Sequence, residues 1–203
     1  MKALITFGKG PAAEYLEIAR PSFEAFADAH GYTFRVYDPD PNPFWPIPWL
    51  KVACIQDALK DYDEVLWVDA DIVITDPSED LPVADDRAWQ AMVVHHTQDG
   101  AVPNTGVWFC RRPMKRWLAS LWEMHDYRNH PWWEQGALLA KMGYDSRARP
   151  ITLGEPTELF LYTHFLTTEW NSHPWDEADH PRFRHATMHD DRAAVMREWA
   201  GAA

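Results

Sequence analysis

Four consecutive apolar residues, Val65-Leu66-Trp67-Val68, run without a break into Asp69-Ala70-Asp71. That junction limits the fold more than any other stretch of the chain. A short, fully apolar run reads as a buried strand, which requires cover from other elements. At the carboxyl end of a strand in an open α/β sheet, side chains project into the crevice where ligands bind. A spacing of two puts both carboxylates on one side of an extended backbone, as a shared hard cation requires. Without a cation, two buried carboxylates repel and one is driven to protonate. Chance Asp-x-Asp pairs are common in a chain with 31 acidic residues and usually form solvated turns. Placement after a buried strand makes this pair a candidate metal or ligand site.

The surrounding sequence carries an α/β pattern. Ala3 to Phe7 reads as a buried strand, followed by the loop Gly8-Lys9-Gly10-Pro11 and a helical stretch from Pro11 to His30 that Pro21 interrupts and Gly31 stops. Tyr32 to Tyr37 is aromatic and β-branched, a second strand, so the chain opens with a parallel βαβ unit. Asp38 to Pro48 holds five prolines and reads as a surface loop. From Trp49 to Tyr62, Val52, Ile55, Ala58 and Leu59 recur at helical spacing, with Lys51, Gln56 and Lys60 on other faces. Ile72 to Thr75 follows the Asp pair and leads into a turn, and Ala91 to Val94 and Val107 to Cys110 read as strands separated by a polar loop with His95, His96 and Asn104-Thr105-Gly106. Pro113 to His125 and Pro131 to Met142 read as helices, the second stopped by Gly143. Residues 150–182 mix short apolar pieces with several prolines. Phe183 to His189 reads as a last strand, and Asp190 to Ala200 as a closing helix capped by Asp190.

Composition narrows the function. The 203 residues, 46% hydrophobic and 25% charged, suffice for one sizeable core. Apolar runs of only a few residues argue against a spanning helix or a secretory signal. Cys54 and Cys110 lie in apolar stretches without metal-ligand spacing, so no disulfide framework or structural zinc site is expected, and the expected location is the cytoplasm. A formal charge of −12 opposes general nucleic-acid binding. Twelve tryptophans exceed the usual allotment, and they serve either as core or as the walls of a cleft.

Trp49 to Val52, Tyr62 to Asp71, Asn104 to Val107 and Glu134-Gln135, taken in this order and spacing, resemble the signature of GT-A fold glycosyltransferases with an Asp-x-Asp motif. The resemblance is nearest to the family of fungal galactosyl- and mannosyltransferases and plant xyloglucan xylosyltransferases, and more distant to the glycogenin-like family. It spans roughly residues 1–190. The fold it implies is a single Rossmann-like α/β domain over residues 1–203, with a mostly parallel central sheet flanked by helices. Residues 1–75 would form a nucleotide-binding half ending in the Asp pair, and residues 76–203 a donor-sugar and acceptor half. The activity it implies is metal-dependent transfer of a hexose or pentose from a nucleoside-diphosphate sugar, UDP-sugar foremost, with retention of anomeric configuration. The acceptor would be a glycan, a protein or a small molecule, and less readily a nucleic acid.

The resemblance also implies roles position by position. Asp69 and Asp71 match the holders of Mn²⁺ or Mg²⁺, with His185 as third ligand and His189 as its alternative, because neutral imidazole suits manganese. Thr6, Phe7 and Gly8 match the first strand end, which cradles the base and ribose. Lys51 matches a basic residue near the donor phosphates, Arg192 is a second candidate for the diphosphate, and Asn104 and Thr105 match contacts to the donor sugar. Glu134 and Gln135 lie beside the reacting carbon, where the Gln135 carbonyl would steady an oxocarbenium-like centre; with Asp71 they form the catalytic set. Aromatic rings stack on the apolar faces of sugars, which makes Phe44-Trp45, Trp132-Trp133 and Trp170 with Trp175 acceptor candidates, Trp45, Trp133 and Trp170 foremost.

Two other readings compete. Val65 to Ile74 also fits the haloacid-dehalogenase pattern, in which Asp69 would be a phosphorylated nucleophile and Asp71 an acid/base with magnesium. That pattern belongs on the first strand, and here a βαβ unit precedes it. A non-catalytic carbohydrate-binding module would account for the aromatic residues but not for the Asp pair.

Overall fold

The computed structural model describes residues 1–40, 42–83 and 87–202. Pro41 of the proline-rich loop lies outside them. Strand β1 (Lys2–Thr6) is followed by helix α1 (Ala12–His30), β2 (Thr33–Val36), α2 (Leu50–Asp61) and β3 (Glu64–Val68). β1 lies between β2 and β3 and is parallel to both. Side chains alternate with the pleat. Ala3, Ile5, Val65 and Trp67 join the core formed with α2, whereas Leu4, Leu66 and Val68 join the core formed with α1. Burial on both faces is the reason these strands are apolar throughout. The chain steps from β1 to β2 in one direction and returns across β1 to reach β3. The carboxyl ends of β1 and β3 therefore flank the crevice that such a reversal opens.

Beyond β4 (Ile72–Ile74), strands β5 (Gln90–Thr97) and β6 (Gly100–Arg111) form a long hairpin whose β6 lies antiparallel on β3. With β9 (Thr163–Leu166) parallel to β5, the sheet order is β2-β1-β3-β6-β5-β9. Only β6 runs against the other five, so the sheet is mostly parallel, as expected. Helices α3 (Met114–Leu121), α4 (Trp133–Met142), α5 (Glu158–Leu161) and α6 (Arg192–Ala202) complete the layers. Two small antiparallel pairs sit beside the sheet, β7 (Tyr144–Asp145) with β8 (Thr152–Leu153) and β4 with β10 (Phe183–His185). Among the described residues no helix is long and apolar enough to cross a membrane. Cys54 and Cys110 are buried free thiols, and burial pushes Cys54 up to about 12.

Several local expectations are corrected. Pro21 does not interrupt α1, because buried Leu16, Ala19, Phe23, Phe26 and Ala27 pin the helix to the sheet on both sides of it, and that packing outweighs one missing hydrogen bond. The helix ends at Gly31, whose φ of 69° is the left-handed cap that favours glycine. The polar segment between Val94 and Val107 is paired strand rather than loop. Its register against β5 shifts from Met92↔Trp108 to Val93↔Asn104, so Thr105, Gly106 and Val107 bulge out of the β5 pairing. A bulge re-aims side chains, and this one turns Asn104 and Thr105 toward the crevice. The closing helix is capped by Asp191 rather than Asp190, with the Ala194 N–H donating to the Asp191 carboxylate at 3.0 Å. Lys51, which lies off the apolar face of α2 in the periodic reading, is buried.

Phe183 on β10 is fully buried, edge-on to Phe26 at 5.2 Å and against Trp170 at 5.6 Å. Phe183→Ala is expected to cost about 3–5 kcal/mol, measured as a lower urea midpoint at unchanged slope. A negligible loss would mean that β10 is not anchored through this core.

Candidate active site

A cavity of about 410 Å³ opens at the carboxyl ends of β1 and β3. Asp69 leaves β3 with its N–H on the Gly106 carbonyl at 2.8 Å, and the chain then turns, with the Ile72 N–H on the Asp69 carbonyl at 3.1 Å. The Asp pair thus sits on a tight turn, not on extended backbone as the spacing implied. The turn still gathers ligand atoms of Asp69, Asp71 and His185 to within 4.8 Å of one another. His185 arrives at the end of β10 because β10 pairs with β4, the strand directly after the turn.

Each carboxylate has a counter-charge. Lys51 Nζ lies 2.9 Å from Asp69 Oδ1 and 3.3 Å from Glu134 Oε1, and donates to the Thr105 carbonyl at 3.0 Å. Burial pushes the Lys51 ammonium down, but Asp69 and Glu134 more than offset this and hold it above its ordinary value. Burial pushes Glu134 up, Lys51 pulls it back, and the net direction is upward. Asp69 Oδ1 also accepts from Trp67 Nε1 at 2.7 Å. On the other side, Asp71 lies 3.2 Å from His185 Nε2 and 2.8 Å from Arg192. Burial raises the Asp71 carboxyl, yet His185 and Arg192 outweigh it and bring it down to about 2. The repulsion inferred from sequence is therefore met by protein cations.

What favours a metal is the donor set. Two carboxylates and an imidazole converge from one turn and one strand, a hard-to-borderline combination suited to Mn²⁺ or Mg²⁺. The ring nitrogen of His185 that faces away from Asp71 is hydrogen-bonded within the protein, as ligating histidines normally are. The residues present fit a divalent cation held by Asp69, Asp71 and His185.

The structure brings most of the expected residues to this cavity. Phe7, Lys51, Asn104, Thr105, Glu134, Gln135 and Arg192 line it together with the metal-site residues. Asn104 Oδ1 is taken by the Gly106 N–H at 2.7 Å and by Asn171 Nδ2 at 2.8 Å, which leaves its amide nitrogen for a ligand. Gln135 Oε1 accepts from the Thr105 N–H at 3.3 Å, so the carbonyl expected to face a reacting carbon is turned to β6. Lys51 is occupied by three acidic and carbonyl partners and is not a free phosphate ligand.

Other expected residues lie elsewhere. Thr6 is fully buried, and Gly8 serves the turn into α1, where a Cβ would stand 2.4 Å from the Ala12 carbonyl oxygen. His189 packs on Trp199 at 5.6 Å, away from the Asp pair. Trp170 is 1% exposed within the core and cannot stack on an acceptor. Trp45 packs against Trp49 and Trp122. Trp133 does line the cavity, half-exposed and with φ of 40°. A non-glycine residue held there is strained, and strain of this kind concentrates at functional sites.

Further contributors include Trp67, Ala12, Tyr15 and Gly106. Trp67 read as core alone, although period two places it on the same side as Asp69. Ala12 and Tyr15, from the first turn of α1, form another wall. Gly106 admits the His185 ring, since a Cβ there would lie 2.7 Å from the imidazole; the glycine of Asn104-Thr105-Gly106 was the visible signal.

No protein-family model and no curated protein matches the chain in sequence. Its three-dimensional structure is similar to a glycosyltransferase involved in glycosylation of the major capsid of PBCV-1, with a TM-score of 0.70 and 14% identity over 100% of this chain and 99% of that one. It is also similar to the galactosyltransferase LgtC solved with donor and acceptor sugar analogues, with a TM-score of 0.62 and 14% identity over 100% and 96% of the two chains. A third likeness is to the glycosyltransferase GlyE of Streptococcus pneumoniae TIGR4, with a TM-score of 0.62 and 14% identity over 98% and 61%. At this identity the likeness concerns the fold, and the fold is the GT-A glycosyltransferase fold expected from the motif order. The haloacid-dehalogenase reading asks for the Asp pair on the first strand; here it follows β3.

Lys51→Met should destabilise the protein by about 3–5 kcal/mol, because it strands the buried Glu134 carboxylate. Adding Glu134→Gln should recover part of the loss, and chemical denaturation of both variants checks this. Additive losses would show that the two side chains are not coupled.

Proposed function

We propose that the chain is a metal-dependent glycosyltransferase that takes a sugar from a nucleoside-diphosphate sugar, UDP-sugar foremost, and transfers it with retention to a hydroxyl acceptor. The observation that carries this reading is the convergence of Asp69, Asp71 and His185 at the carboxyl-end crevice of a glycosyltransferase fold. A bound Mn²⁺ or Mg²⁺ supplies Lewis-acid neutralisation of the leaving diphosphate.

The chain's own groups do the remaining work. Phe7 and Tyr15 offer apolar walls for a nucleoside beside the first strand end. In this reading Arg192, held by Asp71 and about a third exposed, meets the diphosphate, where added negative charge on the departing oxygen strengthens the contact. Lys51 offsets part of the burial that pushes Glu134 up, and Glu134 Oε2 has no hydrogen-bond partner. In this reading that oxygen steadies positive charge on the anomeric carbon, and Gln135, whose carbonyl accepts from the Thr105 N–H, holds β6 beside it. The acceptor oxygen bonds to this carbon as the sugar–phosphate C–O bond breaks. The electron pair leaves on the diphosphate, which also takes the hydroxyl proton.

Trp132 and Gln135 line both this cavity and an adjoining pocket of about 100 Å³ that includes half-exposed Trp175. That side offers the stacking surface for an acceptor, the role that Trp170 cannot fill.

Incubation with a panel of UDP- and GDP-sugars and Mn²⁺ is expected to show slow donor hydrolysis that a chelator abolishes. Asp71→Ala should reduce it by about 100-fold or more, and Gln135→Ala should lower kcat more than it raises donor KM. If no nucleoside diphosphate raises the melting temperature in the presence of Mn²⁺, the assignment fails.

A further inference from the structure

Asn171 is fully buried and reaches His185 across 14 residues and Asn104 across 67. The donor and acceptor identities along this path follow from one backbone group. The Gly106 N–H can only donate, so the Asn104 atom 2.7 Å from it is the carbonyl oxygen. That oxygen lies 2.8 Å from Asn171, which must therefore present its NH₂ group there and turn its own oxygen the other way. The Asn171 oxygen stands 2.9 Å from His185 Nδ1. An amide oxygen only accepts, so Nδ1 carries the proton. His173 Nε2 lies 3.1 Å from the same nitrogen.

We propose that Asn171 is a positioning residue that fixes the proton of His185 on Nδ1, so that the neutral ring turns a bare Nε2 toward the Asp69 and Asp71 carboxylates. Nε2 lies 3.2 Å from Asp71 Oδ1. With Nδ1 protonated, the ring beside Asp71 is either an imidazolium that donates from Nε2, as in the ion pair with Asp71, or a neutral ring whose Nε2 lone pair repels the carboxylate unless a cation lies between them. The opposite tautomer, with Nε2–H donating to Asp71, would relieve that repulsion locally. It would also leave the buried Asn171 oxygen facing a bare nitrogen, and an unsatisfied buried acceptor is expensive. The relay thus holds the ring in the form that binds a cation and works against the form that does not.

The surroundings are built to keep Asn171 in place. It follows the buried Trp170 and caps a 3₁₀ turn, with its N–H on the Thr168 carbonyl at 3.1 Å. Ser172 is tied to β10 by two backbone bonds, its N–H on the Phe183 carbonyl at 2.8 Å and its carbonyl accepting the His185 N–H at 2.9 Å. Gly106 leaves no side chain between the relay and the ring. The consequence for metal affinity rests on the metal reading given above; the proton position does not.

The test has two readouts on the full chain. In ¹⁵N imidazole spectra of the metal-free protein with His185 neutral, the wild type should show the Nδ1–H tautomer, and Asn171→Ala should shift it toward Nε2–H. Titration with Mn²⁺ alone, followed by electron paramagnetic resonance of the free ion, should show affinity weakened by about 10–100-fold in Asn171→Ala. Asn171→Asp keeps an acceptor at Nδ1 but loses the bond to Asn104 Oδ1, and should retain the Nδ1–H tautomer. An Nε2–H tautomer in the wild type overturns the proposal even if the alanine variant fails to fold, and so does an Asn171→Ala protein with unchanged tautomer. Should the tautomer respond while the wild type takes up no Mn²⁺, the relay stands and the metal assignment falls.

Discussion

A single buried ammonium holds the site together. Lys51, in the first turn of α2, reaches Asp69 after β3, the Thr105 carbonyl on β6 and Glu134 on α4. Four elements meet on one Nζ. Each partner would be costly to bury alone, and together they keep one another charged. That junction ties the Asp turn to the Glu134-Gln135 pair.

The same economy of charge explains how an acidic chain carries an orderly acidic site. With a formal charge of −12, adding carboxylates to one crevice would be unfavourable if they were unpaired. Instead Asp69 faces Lys51, and Asp71 faces Arg192 and His185. The cavity can therefore gather carboxylates without an ion, and its suitability for one lies in the kind and placement of the donor atoms. The three-residue bulge in β6 is the backbone counterpart, since it brings the Gly106 carbonyl to Asp69 and the Gly106 N–H to Asn104.

Much of this was legible in the chain. The βαβ opening, the helix before β3 and the Asp pair at a strand end follow from apolar periodicity and turn residues, and the late histidine from the resemblance carried by the motif order. What escaped was of one kind. β9 is short and only partly buried at the sheet edge, so no alternation marked it. Pro21 reads as a break in any local rule, but α1 is held by its packing. Trp170 and Trp45 carry the same local signal as Trp133, and only burial separates them. Lys51 was expected at the site for its charge, although its fate as a sequestered ion could not be read from its position on a helix.

By itself the sequence determined the α/β class, the strand on which the carboxylates would emerge and the residue types that would meet there, because hydrophobic period, glycine and proline act over a few residues. The tertiary structure alone decided which charges neutralise which, which histidine joins the aspartates and which tryptophans remain reachable. Those outcomes depend on contacts between segments separated by tens of residues, such as Asn171 with Asn104 or Lys51 with Glu134, and no local pattern encodes the distance or direction at which such side chains finally meet.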